Sequence, residues 1–345
     1  MALNGGRKYN FVSLDLGTAN TLVFIAGQGI VYNEPSIVAY HIKSNKIVAV
    51  GNEAAKMVGK GNKTIRVVRP MVDGVITDIR ATQAQLTYIF QKLRITAHLK
   101  NAVMLMATPS VCTELEKDAL KKIAYQLGAH YVWIEEEVKM AALGGGLDIT
   151  KPYGNLVVDM GGGTTDIAVI ASGDIVISKS VKVAGNYLNN ELVKYVRSQY
   201  GLEIGIKTAE QLKVEIGSLA KYPDERKMSI YGRDVVSGLP REIIITPEEV
   251  REVLKVPVSR IVELIVRVLE ETPPELAGDI FKYGITICGG GALIKGIDRY
   301  IEQTLQLPTS IGEQPLLSVI NGTKKYEDDV FDIMRHEKDN KDVSY

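Results

Sequence analysis

The sequence has little of the chemistry that marks metal-binding, disulfide-linked or membrane-spanning proteins. Its 345 residues include two cysteines, Cys112 and Cys288, which lie far apart in apolar segments and are expected to be buried thiols. Its four histidines lack the spacing of zinc ligands, and no apolar run reaches the roughly 18 residues of a spanning helix. Basic and acidic residues balance at 41 each, which argues against a protein dedicated to nucleic acid.

The opening residues, MALNGGRKYNF, lack the apolar core of a signal peptide, so we expect a cytoplasmic protein. A peripheral contact with the inner face of the membrane stays open. Hydrophobic residues make up 46% of the chain, which is ample for a core, and the length suggests two domains or more.

Strands and helices alternate along both halves of the chain. The first half opens with strand-like segments separated by glycine turns and continues with amphipathic helices such as ATQAQLTYIFQKL. The pattern breaks at Lys151–Gly154 and then restarts. This alternation predicts an α/β fold with a mixed sheet flanked by helices in each half. We expect domains over 1–150 and 151–322, followed by a charged, loosely held tail over 323–345.

The two halves look like copies of one domain. The stretch SLDLGTANTLVFIAGQGIVYN, which begins at Ser13, matches VVDMGGGTTDIAVIASGDIVIS, which begins at Val157. The alignment places Asp159, Gly161 and Thr165 on Asp15, Gly17 and Thr21. Each half therefore opens with a β-hairpin whose turn carries aspartate, glycine and threonine.

Such a turn suits phosphate. Several backbone N–H groups converge on one point with no Cβ in the way, and threonine hydroxyls add donors. Two facing turns would hold a di- or triphosphate from both sides. The aspartate at each strand end is compatible with bound phosphate when a divalent cation lies between them, usually Mg²⁺ that keeps several waters. Asp15 and Asp159 are therefore candidate metal residues, acting through water.

A third glycine cluster, Gly289-Gly290-Gly291-Ala292, follows the apolar strand ITIC and precedes a helix. Close approach of backbone at a helix N-terminus suits a nucleoside or a phosphate. Ordinary hairpin turns would explain one glycine cluster, but not two matched Asp-Gly-Thr turns. The chain has no G-x-x-x-x-G-K-[ST] motif, and GQGIVY has neither the third glycine nor the helix of a Rossmann motif.

Six segments together resemble the actin superfamily, and within it the MreB family of bacterial actins: DLGTANTLVF, GIVYNEPSIVA, RPMVDGVITD, DMGGGTTDIAV, TPPELAGDI and CGGGALIKGID. The resemblance runs from about Tyr9 to Gly322, in order and with few gaps. It implies an actin-like fold with four subdomains around a cleft for ATP or ADP and Mg²⁺. It also implies self-association into protofilaments that pair antiparallel, and a role in cell shape or motility.

The resemblance further implies roles for individual residues. Asp15–Thr21 corresponds to the first phosphate loop and Asp159–Thr165 to the second, while Gly289–Ala292 corresponds to the adenosine loop. The helix of AEQLKVEIG would bring Glu210 and Lys213 to the nucleoside. The residues expected to bind nucleotide are Gly17, Thr18, Ala19, Asn20, Thr21, Gly161, Gly162, Gly163, Thr164, Thr165, Glu210, Lys213, Gly289, Gly290, Gly291 and Ala292.

For hydrolysis, the resemblance aligns Glu137 with the family's catalytic glutamate and Thr164 with the threonine that helps hold the attacking water. A carboxylate near the γ-phosphate can orient water. The alternative is that the run Glu135–Glu137 is an acidic helix start favoured by the helix dipole, and Glu136 is the second candidate. The chain departs from the family at Val138, Lys139, Met140 and Asn186, which bears on the rate of hydrolysis more than on binding.

The segment KLRITAHLKNAV is a candidate for contact with a membrane. Its Ile95 and Leu99 lie beside Lys92, Arg94 and Lys100, a mixture that suits an anionic surface. An ordinary turn between a helix and a strand explains the segment equally well.

The leading hypothesis is an ATP-dependent, filament-forming cytoskeletal protein with slow Mg²⁺-dependent ATPase activity. A phosphotransfer enzyme on the same fold, a sugar or acid kinase, is the alternative, but the insertions that would build an acceptor pocket are not evident. A chaperone is a third hypothesis, without a peptide-binding domain in the sequence. Fold alone does not decide among them.

Overall fold

A computed structural model of the chain describes residues 9–60, 63–95 and 99–342. These residues divide into two compact units. Unit 1 contains the described residues up to Leu147 and those from Leu317 onward, and unit 2 is Asp148–Leu316. The first eight residues, on which the signal-peptide expectation rests, lie outside the described residues.

The strands of the described residues are β1 Asn10–Leu16, β2 Asn20–Ile25, β3 Gly29–Pro35, β4 Val38–His41, β5 Ile47–Val50, β6 Ile65–Val68, β7 Met71–Val72, β8 Val75–Ile76, β9 Ala102–Thr108, β10 Ala129–Glu136, β11 Asn155–Met160, β12 Thr165–Ala171, β13 Asp174–Val181, β14 Leu202–Glu203, β15 Met228–Asp234, β16 Pro240–Ile245, β17 Ile285–Cys288 and β18 Thr309–Ile311.

The helices are α1 Asn52–Ala55, α2 Ile79–Lys92, α3 Glu114–Gln126, α4 Glu137–Gly144, α5 Gly185–Tyr200, α6 Ile206–Ile216, α7 Pro247–Glu271, α8 Pro274–Tyr283, α9 Ile297–Leu305, α10 Ser318–Lys325 and α11 Glu327–Asp342. Short 3-10 turns cover Gly290–Leu293 and Pro315–Leu317. Two helix starts carry a complete capping box, which satisfies N–H groups that would otherwise lack partners. These are Thr113 with Glu116 before α3 and Thr246 with Glu249 before α7.

The two units repeat one sheet topology. In unit 1 the order is β10-β9-β1-β2-β3, and in unit 2 it is β18-β17-β11-β12-β13. In each sheet an antiparallel three-stranded meander is extended by two parallel strands. The duplication expected from the sequence is therefore present in the strand order itself. Smaller sheets complete the units: β5-β4-β6 and β7-β8 in unit 1, and β14-β15-β16 in unit 2.

Each unit has its own hydrophobic core between the large sheet and its helices. Strand β9 shows why the sheet must be covered on both faces, because all seven of its residues are buried. A strand of continuous apolar sequence is typical of a parallel strand with helices on both sides. The mixed α/β architecture expected for each half is thus observed in each unit.

The C-terminal residues differ from the expected loosely held tail. From Leu317 onward the chain belongs to unit 1, so residues 317–322 do not lie with the second domain as expected. Residues 318–325 and 327–342 are helical, and Val330, Phe331 and Met334 are buried. These three apolar side chains lie on one helical face and pack into unit 1. The expectation of a loosely held tail over 323–345 is therefore wrong for residues 323–342.

The expected membrane contact through Ile95 and Leu99 is also wrong. The two side chains are only 5% and 1% exposed, and both belong to the core of unit 1. Side chains buried in this way have no apolar surface to offer to lipid. Residues 96–98 of the same segment lie outside the described residues. No helix in the described part of the chain has the length and apolar character needed to cross a membrane.

Candidate functional site

The first glycine turn joins β1 to β2 in unit 1. Asp15 pairs with Leu22 and Leu16 with Thr21, so the turn is closed over a few residues. A Cβ on Gly17 would lie 2.8 Å from the carbonyl oxygen of Asn20, which makes glycine necessary at this point. The turn leaves Ala19 and Asn20 exposed at its tip.

Side chains behind this turn hold it in place. The Ser36 hydroxyl donates to the Gly17 carbonyl at 2.6 Å, and the buried Thr18 hydroxyl accepts from the backbone N–H of Gly74 at 3.0 Å. The hydroxyl oxygens of Thr21 and Ser36 lie 2.9 Å apart. Because Ser36 donates its one hydroxyl hydrogen to Gly17, Thr21 must be the donor to Ser36. Gln85 in turn donates to Thr21 at 3.1 Å. The result is a directed chain of hydrogen bonds that ends on the loop backbone.

The second glycine turn joins β11 to β12 in unit 2. The N–H of Gly161 donates to Thr164 at 2.9 Å and closes the turn. The carbonyls of Gly161 and Gly162 accept from the N–H groups of Gly185 and Asn186 at 3.1 and 2.8 Å. The turn is therefore fixed to the start of helix α5, and Asn186, one of the departures from the family, contributes through its backbone.

Thr21 and Thr165, the matched threonines, serve the protein interior. Thr21 lies in the hydrogen-bond chain just described, and the Thr165 hydroxyl donates to the carbonyl of Val183 at 2.6 Å. Both side chains are buried. Of the nucleotide contacts predicted for these two residues, only those of the backbone are compatible with this geometry.

The two aspartates occupy equivalent strand ends. Burial raises the pKa of Asp15 to about 7, although a backbone hydrogen bond from Gly17 acts in the opposite direction. A carboxylate whose charge is disfavoured in this way is a site where a cation would be stabilising. Asp159 is buried and lies opposite Asp166 across the β11–β12 pair.

Among the described residues, no group of three or more acidic, histidine or cysteine side chains could hold a metal ion. Mg²⁺ usually keeps several waters and takes one or two carboxylates together with phosphate oxygens. Asp15 and Asp159, each taken within its own unit, are therefore compatible with a Mg²⁺ site whose other ligands are waters and phosphate oxygens.

The third glycine cluster packs against β11. Gly289 has a φ of 78°, and a Cβ there would lie 2.5 Å from Asp159 Oδ1 and from the Met160 carbonyl oxygen. A Cβ on Gly291 would lie 2.5 Å from Met160 Cβ. Glycine is required at these positions by the neighbouring strand, whereas Gly290 is exposed. The cluster is thus placed beside Asp159, at the end of the same sheet.

Lys213 of helix α6 reaches the start of helix α5, to which the second turn is bonded. Its ammonium donates to the Gly185 carbonyl at 3.3 Å and to Glu210 Oε2 at 2.9 Å. The Asn189 amide also donates to Glu210. Unit 2 therefore brings the second turn, the start of α5 and the predicted pair Glu210 and Lys213 together.

The three glutamates at the start of α4 have different surroundings. Glu135 pairs with Lys139, and Glu136 accepts a hydrogen bond from the Ser110 hydroxyl. Glu137 is buried as the first residue of the helix. Burial raises the pKa of the Cys112 thiol to about 11, and Glu137 adds to the effect, so its carboxylate lies within electrostatic reach of Cys112.

Sequence reasoning missed the residues that support the first turn. Ser36 lies in the segment GIVYNEPSIVA, whose resemblance to the family assigns no structural role to this serine. Gln85 and Gly74 lie 64 and 56 residues away from their partners in the chain. Contacts between residues so far apart in the chain leave no recognisable local pattern in the sequence.

Comparison with known proteins identifies relatives that match most of the chain. A family model described as "MreB/Mbl protein" matches residues 9–335. The "Cell shape-determining protein Mbl" of Bacillus subtilis (strain 168) is 45% identical over 314 residues, which cover 90% of this chain and 94% of that protein. The "Cell shape-determining protein MreB" of Escherichia coli (strain K12) is 38% identical over 321 residues, 92% of each chain.

Solved structures of MreB5 and MamK are also similar to this chain. MreB5 of Spiroplasma citri bound to AMPPNP is 53% identical, with a TM-score of 0.93 over 96% of this chain and 99% of that one. The same protein bound to ADP is 54% identical, with a TM-score of 0.91 over 95% and 99%. The MamK double helical filament, 21% identical over 93% of this chain and 99% of that one, has a TM-score of 0.77 and shows the fold alone. The predicted α/β actin-like fold class is confirmed.

Proposed function

Because the chain belongs to the MreB/Mbl family, whose model matches residues 9–335, we propose that it is an actin-like cytoskeletal protein that binds ATP and assembles into filaments. The observation that carries the proposal is this match, which runs through both glycine turns and the third glycine cluster. The relatives named above as cell shape-determining proteins support a role in cell shape or motility. The family match does not favour the phosphotransfer alternative.

We propose that the two turns bind the phosphates of ATP or ADP and that Gly289–Ala292, Glu210 and Lys213 bind the nucleoside. The AMPPNP and ADP complexes of the Spiroplasma relative support a nucleotide site. The exposed tip at Ala19 and Asn20 supports the role of the first turn, and the position of Lys213 beside the second turn supports its role near the nucleotide.

Asp15 and Asp159 would hold Mg²⁺ through its water ligands. When bound, the ion would neutralise charge on the phosphates. The rise in the pKa of Asp15 caused by burial supports this assignment, because a nearby cation would restore the ionised form.

We propose slow ATP hydrolysis in which Glu137 accepts a hydrogen bond from the attacking water and orients it, while the Thr164 hydroxyl helps to hold that water. The alignment of Glu137 with the family's catalytic glutamate supports this choice, and Glu136, whose carboxylate accepts a hydrogen bond from Ser110, is the second candidate. Val138 follows Glu137 where the family has proline, and slow turnover is the expected consequence.

For the filaments, we propose protofilaments that pair antiparallel in the cytoplasm. The test is light scattering with electron microscopy on the purified full chain, with ATP and Mg²⁺, with ADP and without nucleotide. Filaments that form with ATP and Mg²⁺ support the proposal. Their absence in every condition would contradict it.

Nucleotide binding is tested separately with a fluorescent ATP analogue. A charge-assisted hydrogen bond contributes about 1.5–3 kcal/mol, so Lys213→Ala should weaken binding by roughly 10-fold or more. Lys207→Ala on the same helix is the matched control, because Lys207 is exposed. Equal affinities for the two variants would remove Lys213 from the site.

Hydrolysis is tested by phosphate release at saturating ATP. Glu137→Ala should slow release by about 100-fold while ATP binding persists, whereas Glu136→Ala should change it little. The opposite order would assign the role to Glu136.

A further inference from the structure

Lys139 is a buried cation on helix α4, two residues after Glu137. Its ammonium lies 3.3 Å from Glu135 Oε2, and the side chains of Lys139 and Glu135 are only 9% and 14% exposed. Lysine is almost never buried to this degree without a partner. Glu135 and Lys139 are four residues apart, so one charge of the pair lies before Glu137 and the other lies after it.

The ammonium has a second partner from the C-terminal part of unit 1. It donates to the Tyr326 hydroxyl at 3.2 Å and lies 5.0 Å from the centre of the Tyr326 ring. Burial alone would lower the pKa of Lys139, but Glu135 and Tyr326 outweigh it and raise the pKa, so the side chain stays protonated. One charged group therefore joins two segments that are distant in sequence.

Glu135 transmits this constraint to the backbone before Glu137. Its Oε1 accepts from the N–H of Glu136 at 3.1 Å, and its Oε2 accepts from Trp133 Nε1 at 3.4 Å. Glu136 is the N-cap residue of α4, and Glu137 is the first residue of the helix. The Glu135 carboxylate, which pairs with Lys139, thus accepts a hydrogen bond from Glu136, the residue immediately before Glu137.

The position of Tyr326 is fixed by the helix that precedes it. It follows α10, whose Thr323 hydroxyl lies 2.6 Å from the Ser13 hydroxyl of β1. The Lys325 ammonium donates to the carbonyl of Leu143, near the end of α4, at 2.7 Å. Helix α10 is therefore bonded both to the strand that carries Asp15 and to the helix that carries Glu137.

We propose that Lys139 is a positioning residue for ATP hydrolysis, which holds Glu137 in place by tying Glu135 to Tyr326. The proposal rests on the proposed role of Glu137. Within the described part of the chain Lys139 bonds to Glu135 and Tyr326 and to neither glycine turn, so its loss should spare nucleotide affinity. Misplacement of a catalytic group by about 1 Å can cost 10²-fold in rate, so a looser Glu137 should slow hydrolysis clearly.

The test compares kcat for phosphate release with the Kd for ATP in the full chain. Lys139→Met should lower kcat by about 10-fold or more and leave Kd within about twofold. Lys139→Arg, which keeps the charge, should recover most of the rate. Tyr326→Phe, which removes only the hydroxyl, should lower kcat less. Lys194→Met is the control, because Lys194 forms an exposed pair with Glu191 at 2.7 Å and should behave as the original chain.

The outcomes separate this proposal from the one on which it rests. If Glu137→Ala is slow but Lys139→Met has the original kcat, the positioning role is overturned and the catalytic role stands. If the original chain is no faster than Glu137→Ala, both roles are overturned. A parallel loss of kcat and ATP affinity in Lys139→Met and Lys139→Arg would indicate a purely structural role and overturn the proposal. Should Lys139→Met fail to fold, Tyr326→Phe decides: a lower kcat with an unchanged Kd supports the proposal, and the original kcat overturns it.

Discussion

Helices α4 and α10 approach so closely that a single added methyl group at Gly144 should be strongly destabilising. A Cβ on Gly144 would lie 2.6 Å from the Ser318 carbonyl carbon and 2.7 Å from the Gly322 backbone nitrogen, and closer still to the Ser318 oxygen. Carbon atoms in contact ordinarily lie about 3.5–4.0 Å apart. The obstacle is backbone, which cannot rotate aside, so the two helices must separate by about 1 Å. A gap of that size forfeits up to about half of the dispersion energy between the surfaces.

Overpacking typically costs about 1–3 kcal/mol, and a clash with backbone lies at the upper end or above, so we expect Gly144→Ala to lose about 3 kcal/mol or more. At about 2–4 °C per kcal/mol, the melting temperature should fall by about 6–12 °C. Gly278→Ala is the matched control, because Gly278 is a helical glycine with nothing within 4 Å of its Cβ position. It should gain about 0.5–1 kcal/mol from improved helix propensity. Calorimetry and urea unfolding measure both variants, and a loss below about 1 kcal/mol at Gly144 would refute the close-packing argument.

The remaining predictions concern other parts of the chain. Gly289→Ala should cost about 3 kcal/mol and weaken ATP binding, because its Cβ would lie 2.5 Å from the Met160 oxygen. Gly173→Ala, with a similar φ of 85° but nothing within 4 Å, should cost only the roughly 1–2 kcal/mol of backbone strain; equal unfolding midpoints would contradict this difference. Burial alone would raise the pKa of Glu249, but hydrogen bonds, including that from Tyr200, hold it below its ordinary 4.5. The stabilisation that ionised Glu249 contributes should therefore be present above pH 4.5 and be lost as pH falls through the folded-state pKa. In urea unfolding, the difference in free energy of unfolding between the original chain and Glu249→Gln should accordingly become smaller in acid. Chelation of Mg²⁺ should lower ATP affinity and stop phosphate release, and unchanged turnover in excess EDTA would argue against a metal-dependent site.

The fold was predictable where the pattern is local. The matched Asp, Gly and Thr residues near Asp15 and Asp159 indicated a duplication, and the strand order of the two sheets repeats it. Strand and helix periodicity indicated the mixed α/β architecture, since each element shows its buried face in its own sequence. The two glycine turns were placed correctly at strand ends because a hairpin brings its own residues together.

Burial by distant partners was not predictable. Ile95 and Leu99 look like exposed apolar residues among lysines, but the core of unit 1 covers them. Phe331 and Met334 are buried, but they lie in a strongly charged segment whose composition hides their common helical face. In each case the deciding contact comes from residues far away in the chain.

The glycines of the third cluster illustrate a different limit. A sequence shows that a Cβ is excluded but not what excludes it. At Gly289 and Gly291 the neighbour is Met160 of the adjacent strand, whereas a ligand was the expected neighbour. The same residue type at Gly17 is required by the closing of its own turn.

The discontinuity of unit 1 has a consequence for biosynthesis. A ribosome delivers residues up to Leu147, then the whole of unit 2, and only afterwards helices α10 and α11. Until that last segment emerges, α4 lacks the helix that packs on Gly144, and the strand that carries Asp15 lacks its bond to Thr323. Unit 2, which is continuous, can complete its core first. A nascent chain therefore carries an unfinished first unit until the residues from Leu317 onward have emerged, so an assembly-competent subunit forms only after unit 2 has been synthesised.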